Sequence, residues 1–504
     1  MKRTLMSTML RGLPAALLLG LASVNAAEFT RNLDQSFPVN PGGKLVIRAD
    51  RGAIDVTTTA ADKVEVRVWR TVRETSQQKA DEIFAEHEVT FNQDGDIVTV
   101  TAKNRSDVSD EPAGGKPRRV SWLRRLIPLR ARVHLGGKAV KNFEVRYQVT
   151  VPRKFNVDLK TFAGVVSVGD LAGEARSETS GGNLRFGRIE GAVWGKTYSG
   201  GIYLAGTSGS AELNTSGGNI DIGDVAGGVR AQTYSGSINL KKAGGKVDAR
   251  TSGGNLNIED AGDDLFAQTY SGSVRLGNVK GAVEAKTSGG DVVLDAGGGD
   301  VNAQTYSGKI IIGTARGRVT AKNSGGEISI GEAGGDIVAQ TYSGSVRVKK
   351  CGGQTDAKTS GGDVIIGESA GEIIAQTYSG TIRIQKAQAR VSAKNSGGNI
   401  EIHEAAGPIE ANTFSGAITA NLLARATGDC RFETAGGDIR LRLPRAAAFD
   451  LNARASAGKV VTEMPVTLTV HGEQKRGVMH GKINGGGAAL VLQANSGSIY
   501  LNNL

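Results

Sequence analysis

The chain has 504 residues, of which 72 are glycine and two are cysteine, and its formal net charge is +11. Beyond the N-terminal segment no stretch approaches the roughly 20 apolar residues that span a bilayer, which excludes a membrane-spanning helix from the mature chain. A length of this size ordinarily predicts about three domains, but a regular internal repeat overrides that expectation.

The N-terminal residues have the pattern of an export signal. Three cations within the first eleven residues accompany the apolar run 13–22, and Val24-Asn25-Ala26 ends in a small residue suited to cleavage. We therefore expect a signal peptide at residues 1–26 and an exported mature protein, located in the periplasm or at the cell surface, or released outside the cell.

Residues 27–155 combine strand and helix patterns. Strands are predicted at Leu45–Ile47 and Val64–Trp69, and apolar residues at helical spacing predict a helix over Ser76–His87. We expect an α+β cap here, because an open end of a repeat array would expose unpaired backbone and apolar edge.

Within this cap, residues 112–141 contain nine cations and no acid. Without the three signal-peptide cations the net charge is +8, and without these nine it is −1, so the excess charge lies here. Apolar residues are interleaved, which suits an anionic membrane surface, lipopolysaccharide or an acidic glycan. The candidate anion-binding residues are Arg118, Arg119, Trp122, Arg124, Arg125, Arg130 and Arg132. The alternative is an insertion that packs on the cap with solvated arginines, and nucleic acid is not expected after export.

A four-residue turn recurs every 18 residues from Thr161 to Thr413, fifteen times, each with glycine three residues on. Turn glycines such as Gly272 and Gly290 are expected to adopt positive φ, which only glycine does without steric cost. Between turns the apolar residues alternate with period 2, which predicts two short strands per unit. The inward columns would hold pairs such as Val274 with Leu276 and Val283 with Ala285. The predicted fold is therefore all-β, a parallel β-solenoid of about fifteen 18-residue units over residues 156–417, with a filled interior and no ligand cavity.

A 36-residue super-period overlies the 18-residue repeat. The residue after the first turn position alternates between an aromatic and serine. Through the middle of the array, the residue before it alternates between glutamine and a cation. Either one coil holds 36 residues, or coils of 18 residues alternate. The second arrangement is favoured because it keeps like charges two spacings apart.

The alternating aromatics form a second candidate site, an edge ladder whose rings could stack on sugars. The same positions also suit a structural ladder that shields backbone and bonds locally. The ladder tyrosines are Tyr198, Tyr234, Tyr270, Tyr306, Tyr342 and Tyr378.

Support for catalysis or metal binding is weak in the sequence. Acids such as Asp291, Asp300 and Glu327 stand at turns without a basic partner at a cleft, so they are interpreted as solvated turn residues. The five histidines lack metal-ligand spacing. We expect no catalytic residues, no metal and no cofactor.

The regular spacing ends after residue 417, so residues 418–504 are expected to form a β cap. Cys351 and Cys430 lie about four coils apart in different columns, too far for a disulfide with each other. They are interpreted as small buried side chains, with an intermolecular bond as the alternative.

The succession 50–56 (Asp-Arg-Gly-Ala-Ile-Asp-Val), the Ser-Gly-Gly-Asp-Val units and the closing segments 482–487 and 495–499 resemble the bacterial domain-of-unknown-function 4097 family. That family is described as adhesin-like β-strand repeat proteins, and the resemblance covers nearly the whole mature chain. It implies a repeat architecture and no catalytic residues.

Three functions follow as hypotheses. The first is an exported, non-enzymatic, adhesin-like scaffold or envelope interaction protein. The second is a polysaccharide-acting enzyme of the pectinase-like solenoid type. The third is a factor that binds an anionic membrane surface through residues 112–141.

Overall fold

The computed structural model describes residues 26–104, 143–423, 428–468 and 476–504. The predicted signal peptide lies outside this part of the chain except for its last residue, and the basic insertion 112–141 lies wholly outside it. The described residues fall into two compact units. The first contains 26–33, 68–88, 103–104 and 143–145, and the second contains the rest.

The first unit holds the helix α1 (Gln77–Glu86), which confirms the predicted one. The Ser76 hydroxyl caps its N-terminus by accepting a 3.4 Å hydrogen bond from the Lys79 N–H. Phe84 on the inner face of the helix is buried against Val72. No helix in the described ranges has the length and apolar composition required to cross a membrane.

Strands make up the remaining regular structure. Those before the array are β1 (Ala27–Pro38), β2 (Lys44–Ala49), β3 (Ala53–Thr59), β4 (Lys63–Glu74), β5 (His87–Asp94), β6 (Ile97–Asn104) and β7 (Phe143–Pro152). Those of the array are β8 (Asn156–Thr161), β9 (Val166–Val168), β10 (Ala175–Glu178), β11 (Leu184–Ile189), β12 (Val193–Lys196), β13 (Ile202–Thr207), β14 (Ala211–Asn214), β15 (Ile220–Val225), β16 (Val229–Gln232), β17 (Ile238–Ala243), β18 (Val247–Arg250), β19 (Leu256–Ala261), β20 (Leu265–Gln268), β21 (Val274–Val279), β22 (Val283–Lys286), β23 (Val292–Gly297), β24 (Val301–Gln304), β25 (Ile310–Ala315), β26 (Val319–Lys322), β27 (Ile328–Ala333), β28 (Ile337–Gln340), β29 (Val346–Cys351), β30 (Thr355–Lys358), β31 (Val364–Ser369), β32 (Ile373–Gln376), β33 (Ile382–Ala387), β34 (Val391–Asn395), β35 (Ile400–Ala405), β36 (Ile409–Thr413) and β37 (Ile418–Leu422). From β10 to β37 the even-numbered strands form a short-strand sheet and the odd-numbered strands form a long-strand sheet.

Each coil of the array contains 18 residues. On the short-strand sheet Leu265 pairs with Val283, and on the long-strand sheet Val274 pairs with Val292, both in parallel register. This register confirms the favoured 18-residue coil and excludes a 36-residue one. It also places Gln268 between Arg250 and Lys286, so the two cations are two coils apart.

The interior is filled by the two predicted columns. Val274 and Leu276 of one strand and Val283 and Ala285 of the next are all at most 3% exposed. Full burial of each valine or leucine side chain contributes about 1.5–3 kcal/mol relative to exposure. Apolar residues recur at these positions in most coils, so the apolar core runs along the stack.

Glycines of the array are required for a reason that differs from the predicted one. The expectation that turn glycines such as Gly272 and Gly290 adopt positive φ is wrong, because neither has φ in that region. A Cβ on Gly272 would lie 1.9 Å from the carbonyl oxygen of Gly254, and one on Gly290 would lie 2.2 Å from that of Gly272. Close approach between coils therefore selects glycine at this position.

Segments outside the repeat add coils at both ends of the second unit. At the start, β2 and β3 stack in parallel on β8 and β9, with Lys44 beside Asn156 and Ile54 beside Val166. β2 and β3, which the sequence analysis assigned to the N-terminal cap, thus form one further coil of the stack.

At the far end the chain order and the stacking order diverge. The strands there are β38 (Cys430–Thr434), β39 (Ile439–Leu443), β40 (Phe449–Ala455), β41 (Val460–Thr462), β42 (Val466–Leu468), β43 (Val478–Ile483), β44 (Ala488–Ala494) and β45 (Ile499–Asn503). β44 inserts between β38 and β40, and β45 inserts between β39 and β41. β43 then runs antiparallel to β40 and covers its edge.

A candidate ligand-binding trough on the short-strand face

The outward side chains of the short-strand sheet form the floor of an open depression, which we call the trough. It extends from β14 to β26 and includes the residue before each strand and the first two residues of the turn after it. Two adjoining cavities of about 1000 Å³ and about 600 Å³ make up the trough, and both are lined by Arg250. Because the interior is packed, a ligand of this sheet would lie on its outer face.

One edge of the trough carries the predicted aromatic ladder. The six tyrosines are 65–69% exposed, and Phe162 and Phe414 continue the series at 62% and 70%. At about 4.8 Å per coil, successive ladder rings are separated by about 9.6 Å, with a serine coil between them. Tyr270 and Tyr306 line the smaller cavity on either side of Ser288.

The turn beneath each ladder residue is held by a buried threonine. The Thr269 hydroxyl donates to the Gly254 carbonyl oxygen of the preceding coil at 2.9 Å and accepts from the Gly272 N–H of its own turn at 3.3 Å. The Tyr270 carbonyl oxygen accepts the N–H of Ser288 from the next coil at 3.0 Å. The backbone under each ring is thus fixed, while the ring itself faces solvent.

The next row of the trough alternates between glutamine and a cation. Most of these cations pair with a carboxylate two residues earlier on their own strand, although Thr320 holds that place before Lys322. Arg250 Nε lies 2.7 Å from Asp248, and Lys286 forms an ion pair with Glu284. Lys358 repeats the arrangement with an acid at 2.8 Å. The row therefore presents mainly amide groups and hydrogen-bonded ion pairs to a ligand.

The larger cavity contains a half-buried, outward-facing aromatic side chain that the sequence analysis did not single out. Phe266 stands on the floor, and the Arg250 guanidinium lies 4.6 Å from its ring centroid, in cation–π contact. Arg176 covers Trp194 in the same way at 3.7 Å. The sequence signal that could have identified Phe266 and Trp194 is that each aromatic occupies an outward-facing position of a short strand. Both rings are covered by a cation, unlike the ladder tyrosines, which have no ring or cation partner in the described ranges.

The acids interpreted as solvated turn residues have a structural task that the sequence analysis missed. Their side chains accept the backbone N–H of the residue 18 positions later, which joins one coil to the next. The pairs are Asp291 with Lys309 at 2.7 Å, Asp300 with Arg318 at 2.8 Å, Asp336 with Gln354 at 3.0 Å and Asp363 with Thr381 at 2.8 Å. Glu327 instead forms an ion pair with Arg347. Asparagine and serine occupy the same repeat positions elsewhere, which was the available signal.

These hydrogen bonds favour the ionised carboxylates. The N–H of Gln354 and then the Arg318 guanidinium hold the pKa of Asp336 below its usual value. The N–H of Ala282 and then Lys246 lower the pKa of Asp264. Among residues with described positions, no group of three or more His, Cys, Asp or Glu could hold a metal ion.

Of the two candidate sites predicted from the sequence, the aromatic ladder is therefore the one that the structure places beside other groups able to bind a ligand. Two of the six ladder tyrosines, Tyr270 and Tyr306, line the trough, together with the glutamine and cation row beside them. The seven candidate anion-binding residues of the basic insertion fall outside the described residues, so they stay a prediction.

Comparison with protein families identifies the chain. The model of the Toastrack DUF4097 family matches residues 43–331 and again residues 307–502. The chain belongs to the Toastrack DUF4097 family. This membership confirms the resemblance drawn from the sequence, and the Toastrack match includes the whole repeat array together with most of both flanking regions.

Two solved structures are similar to this Toastrack chain. A proposed cell adhesion protein from Clostridium sporogenes is 9% identical, with 94% of this chain and 100% of that chain covered and a TM-score of 0.13. A proposed adhesin from Bacteroides fragilis is 13% identical, with 70% and 97% covered and a TM-score of 0.17. Both TM-scores are low, so no conclusion about this chain rests on them. None of the curated proteins matches it.

Proposed function

We propose that this protein is an exported, non-enzymatic, adhesin-like binding protein that holds an extended partner along the trough. The supporting observation is the register of the array, which repeats an exposed tyrosine every two coils and, through the middle of the array, a glutamine beside it. A surface built this way offers many equivalent contacts in a line, and weak contacts made together give high avidity.

The chemistry of the acids supports a binding role over glycan cleavage. A glycosidase needs two carboxyl groups across the scissile bond, one of them with a raised pKa so that it can donate a proton. Asp264 and Asp336 have lowered pKa values and accept backbone N–H groups. The carboxylate oxygens thus accept bonds that join neighbouring coils, and at the equivalent position of the first coil of the array Asn156 accepts the N–H of Glu174 in the same way.

Export to the periplasm or the cell surface is part of the proposal and is supported by the sequence of residues 1–26. Cell fractionation tests it, and a full-length protein retained in the cytoplasm would contradict it.

The binding role is tested by retention of envelope and extracellular polymer material on the immobilised protein. The decisive variant is Tyr234→Ser/Tyr270→Ser/Tyr306→Ser, since serine is the residue that alternate coils carry at this position. The matched control is Tyr203→Ser, which removes a 52% exposed tyrosine from the long-strand face. We expect the wild type and the control to retain material and the ladder variant to lose it. Equal retention by all three would contradict the proposal.

A further inference from the structure

We propose that the partner held by the trough is an uncharged, extended polysaccharide whose sugar rings stack on the ladder tyrosines. The inference rests on the proposed function and adds the chemical class of the ligand. Three properties of the trough support it: uncovered rings at a regular spacing, amide groups beside them, and cations that for the most part already have carboxylate partners.

The rings have the accessibility that sugar stacking needs. The face of an aromatic ring carries partial negative charge, which attracts the C–H groups on the flat face of a pyranose. Tyr270 and Tyr306 are each 68% exposed. Phe266, in contrast, has its face occupied by Arg250 at 4.6 Å. Stacking is therefore expected on the ladder edge and not on the floor.

The ring spacing suits a polymer rather than a single sugar. Successive ladder rings lie about 9.6 Å apart because the aromatic occurs in every second coil. In an extended polysaccharide whose alternate sugars are turned over, every second ring presents the same face in the same direction. One ladder ring can then meet every second sugar, and the cavity between Tyr270 and Tyr306 accommodates the sugar between.

Amide groups beside the rings match the hydroxyl groups of such a ligand. A sugar hydroxyl both donates and accepts, and a glutamine side chain offers two donors and one acceptor oxygen. Gln268 and Gln304 line the cavity with Tyr270 and Tyr306. Gln304 donates from Nε2 to Asn302 at 3.1 Å, which fixes the plane of its amide.

Charge balance favours an uncharged ligand over an acidic one. Arg250, Lys286 and Lys358 each have a carboxylate partner within hydrogen-bonding reach on their own strand. An acidic glycan would have to displace or repel those carboxylates. A neutral polymer can bond to the ion pairs through its hydroxyl groups without breaking them.

The ladder also implies a dependence on ligand length. From Phe162 to Phe414 the array contains fourteen coil spacings, or roughly 67 Å at about 4.8 Å per coil. A longer chain engages more rings, so apparent affinity rises with polymer length until the ladder is filled.

Affinity electrophoresis of the full-length chain tests the inference. The gels contain hydroxyethylcellulose or galactomannan as neutral polymers and polygalacturonate as the acidic one. The variants are Tyr270→Ser/Tyr306→Ser, Tyr270→Phe/Tyr306→Phe and the control Tyr203→Ser. Circular dichroism establishes that each is folded, and serine and phenylalanine already occur in this ladder at Ser288 and Phe162.

We expect at least one neutral polymer to retard the wild type, the phenylalanine variant and the control. The serine variant should bind about tenfold more weakly, from the loss of two aromatic contacts. Retardation by polygalacturonate alone, or by neither polymer class, would overturn the inference. If the retention assay above still shows a ladder-dependent partner that is protein, the proposed function stands and only the ligand class is wrong. If that retention is also independent of the ladder, both fail.

Discussion

The hydroxyl of Thr305 donates a 2.8 Å hydrogen bond to the carbonyl oxygen of Gly290 in the preceding coil. It also accepts a 3.3 Å hydrogen bond from the N–H of Gly308 in its own turn. The same two bonds recur at most turns of the array. This buried hydroxyl therefore links the turn geometry to the stacking of coils, and the exposed ladder depends on it.

Removing that hydroxyl while keeping the shape of the side chain should destabilise the stack. Thr305→Val leaves the carbonyl of Gly290 and the N–H of Gly308 without this partner, at an expected cost of about 1–3 kcal/mol. Urea unfolding followed by circular dichroism measures the change. Thr305→Asn is the matched rescue, because Asn323 already donates from Nδ2 to the Gly308 carbonyl oxygen at 3.0 Å. Equal loss in both variants would contradict this role.

Two adjacent glycines in one turn should respond very differently to alanine. A Cβ on Gly326 would lie 2.1 Å from the Gly308 carbonyl oxygen, whereas a Cβ on Gly325 has its nearest neighbour at 3.5 Å. We expect Gly326→Ala to lower the free energy of unfolding by roughly 2–4 kcal/mol and Gly325→Ala to change it little. Thermal unfolding of both proteins checks the difference, and similar melting temperatures would show that coil contact does not select the glycine.

Acid should weaken the contacts between coils. The folded state lowers the pKa of Asp336, so this group contributes stability above the pKa of the unfolded chain, about 3.9. That contribution is lost as the pH falls through the lower folded pKa. We expect the melting temperature to be steady near neutral pH and to decrease below about pH 4.

Asp336→Asn provides the control for this pH dependence. Asn156, at the equivalent repeat position, accepts the N–H of Glu174 at 2.9 Å, so asparagine can keep the bond without a titrating group. The variant should lose less of its melting temperature in acid than the wild type does. An unchanged pH profile would assign the acid sensitivity to other groups.

Both cysteines should be unreactive in the folded protein. Cys351 and Cys430 are each 1% exposed and carry no disulfide. Burial raises the pKa of the Cys430 thiol, which further disfavours the reactive thiolate. Titration with a disulfide reagent is expected to detect no thiol in buffer and two in denaturant. Rapid reaction under native conditions would contradict the packing of the columns that contain them.

Sequence patterns were sufficient for the features that depend on one strand or one helix. Alternation placed Val274 and Leu276 in the core, and helical spacing located α1 within one residue at each end. The 18-residue coil was favoured because it keeps the like-charged residues before the turns two coils apart. These properties are local, or repeat identically from coil to coil.

Features that depend on contact between coils were not predictable in the same way. The reason for Gly272 was misassigned, because the approach of the Gly254 carbonyl oxygen exists only once the coils are stacked. The acceptor role of Asp336 toward Gln354 likewise needs the register of neighbouring coils. The insertion of β44 between β38 and β40 reverses chain order, which no periodicity can reveal.

The account rests most directly on an array in which ladder residues 36 positions apart are separated by two coils. Spin labels at Tyr234→Cys and Tyr378→Cys, measured by pulsed dipolar spectroscopy, test this spacing, because both sites are exposed and the native thiols are buried. Eight coils at about 4.8 Å predict a narrow distribution near about 38 Å. A distribution centred near about 19 Å, as 36-residue coils would give, or a broad one without a defined maximum, would contradict the account.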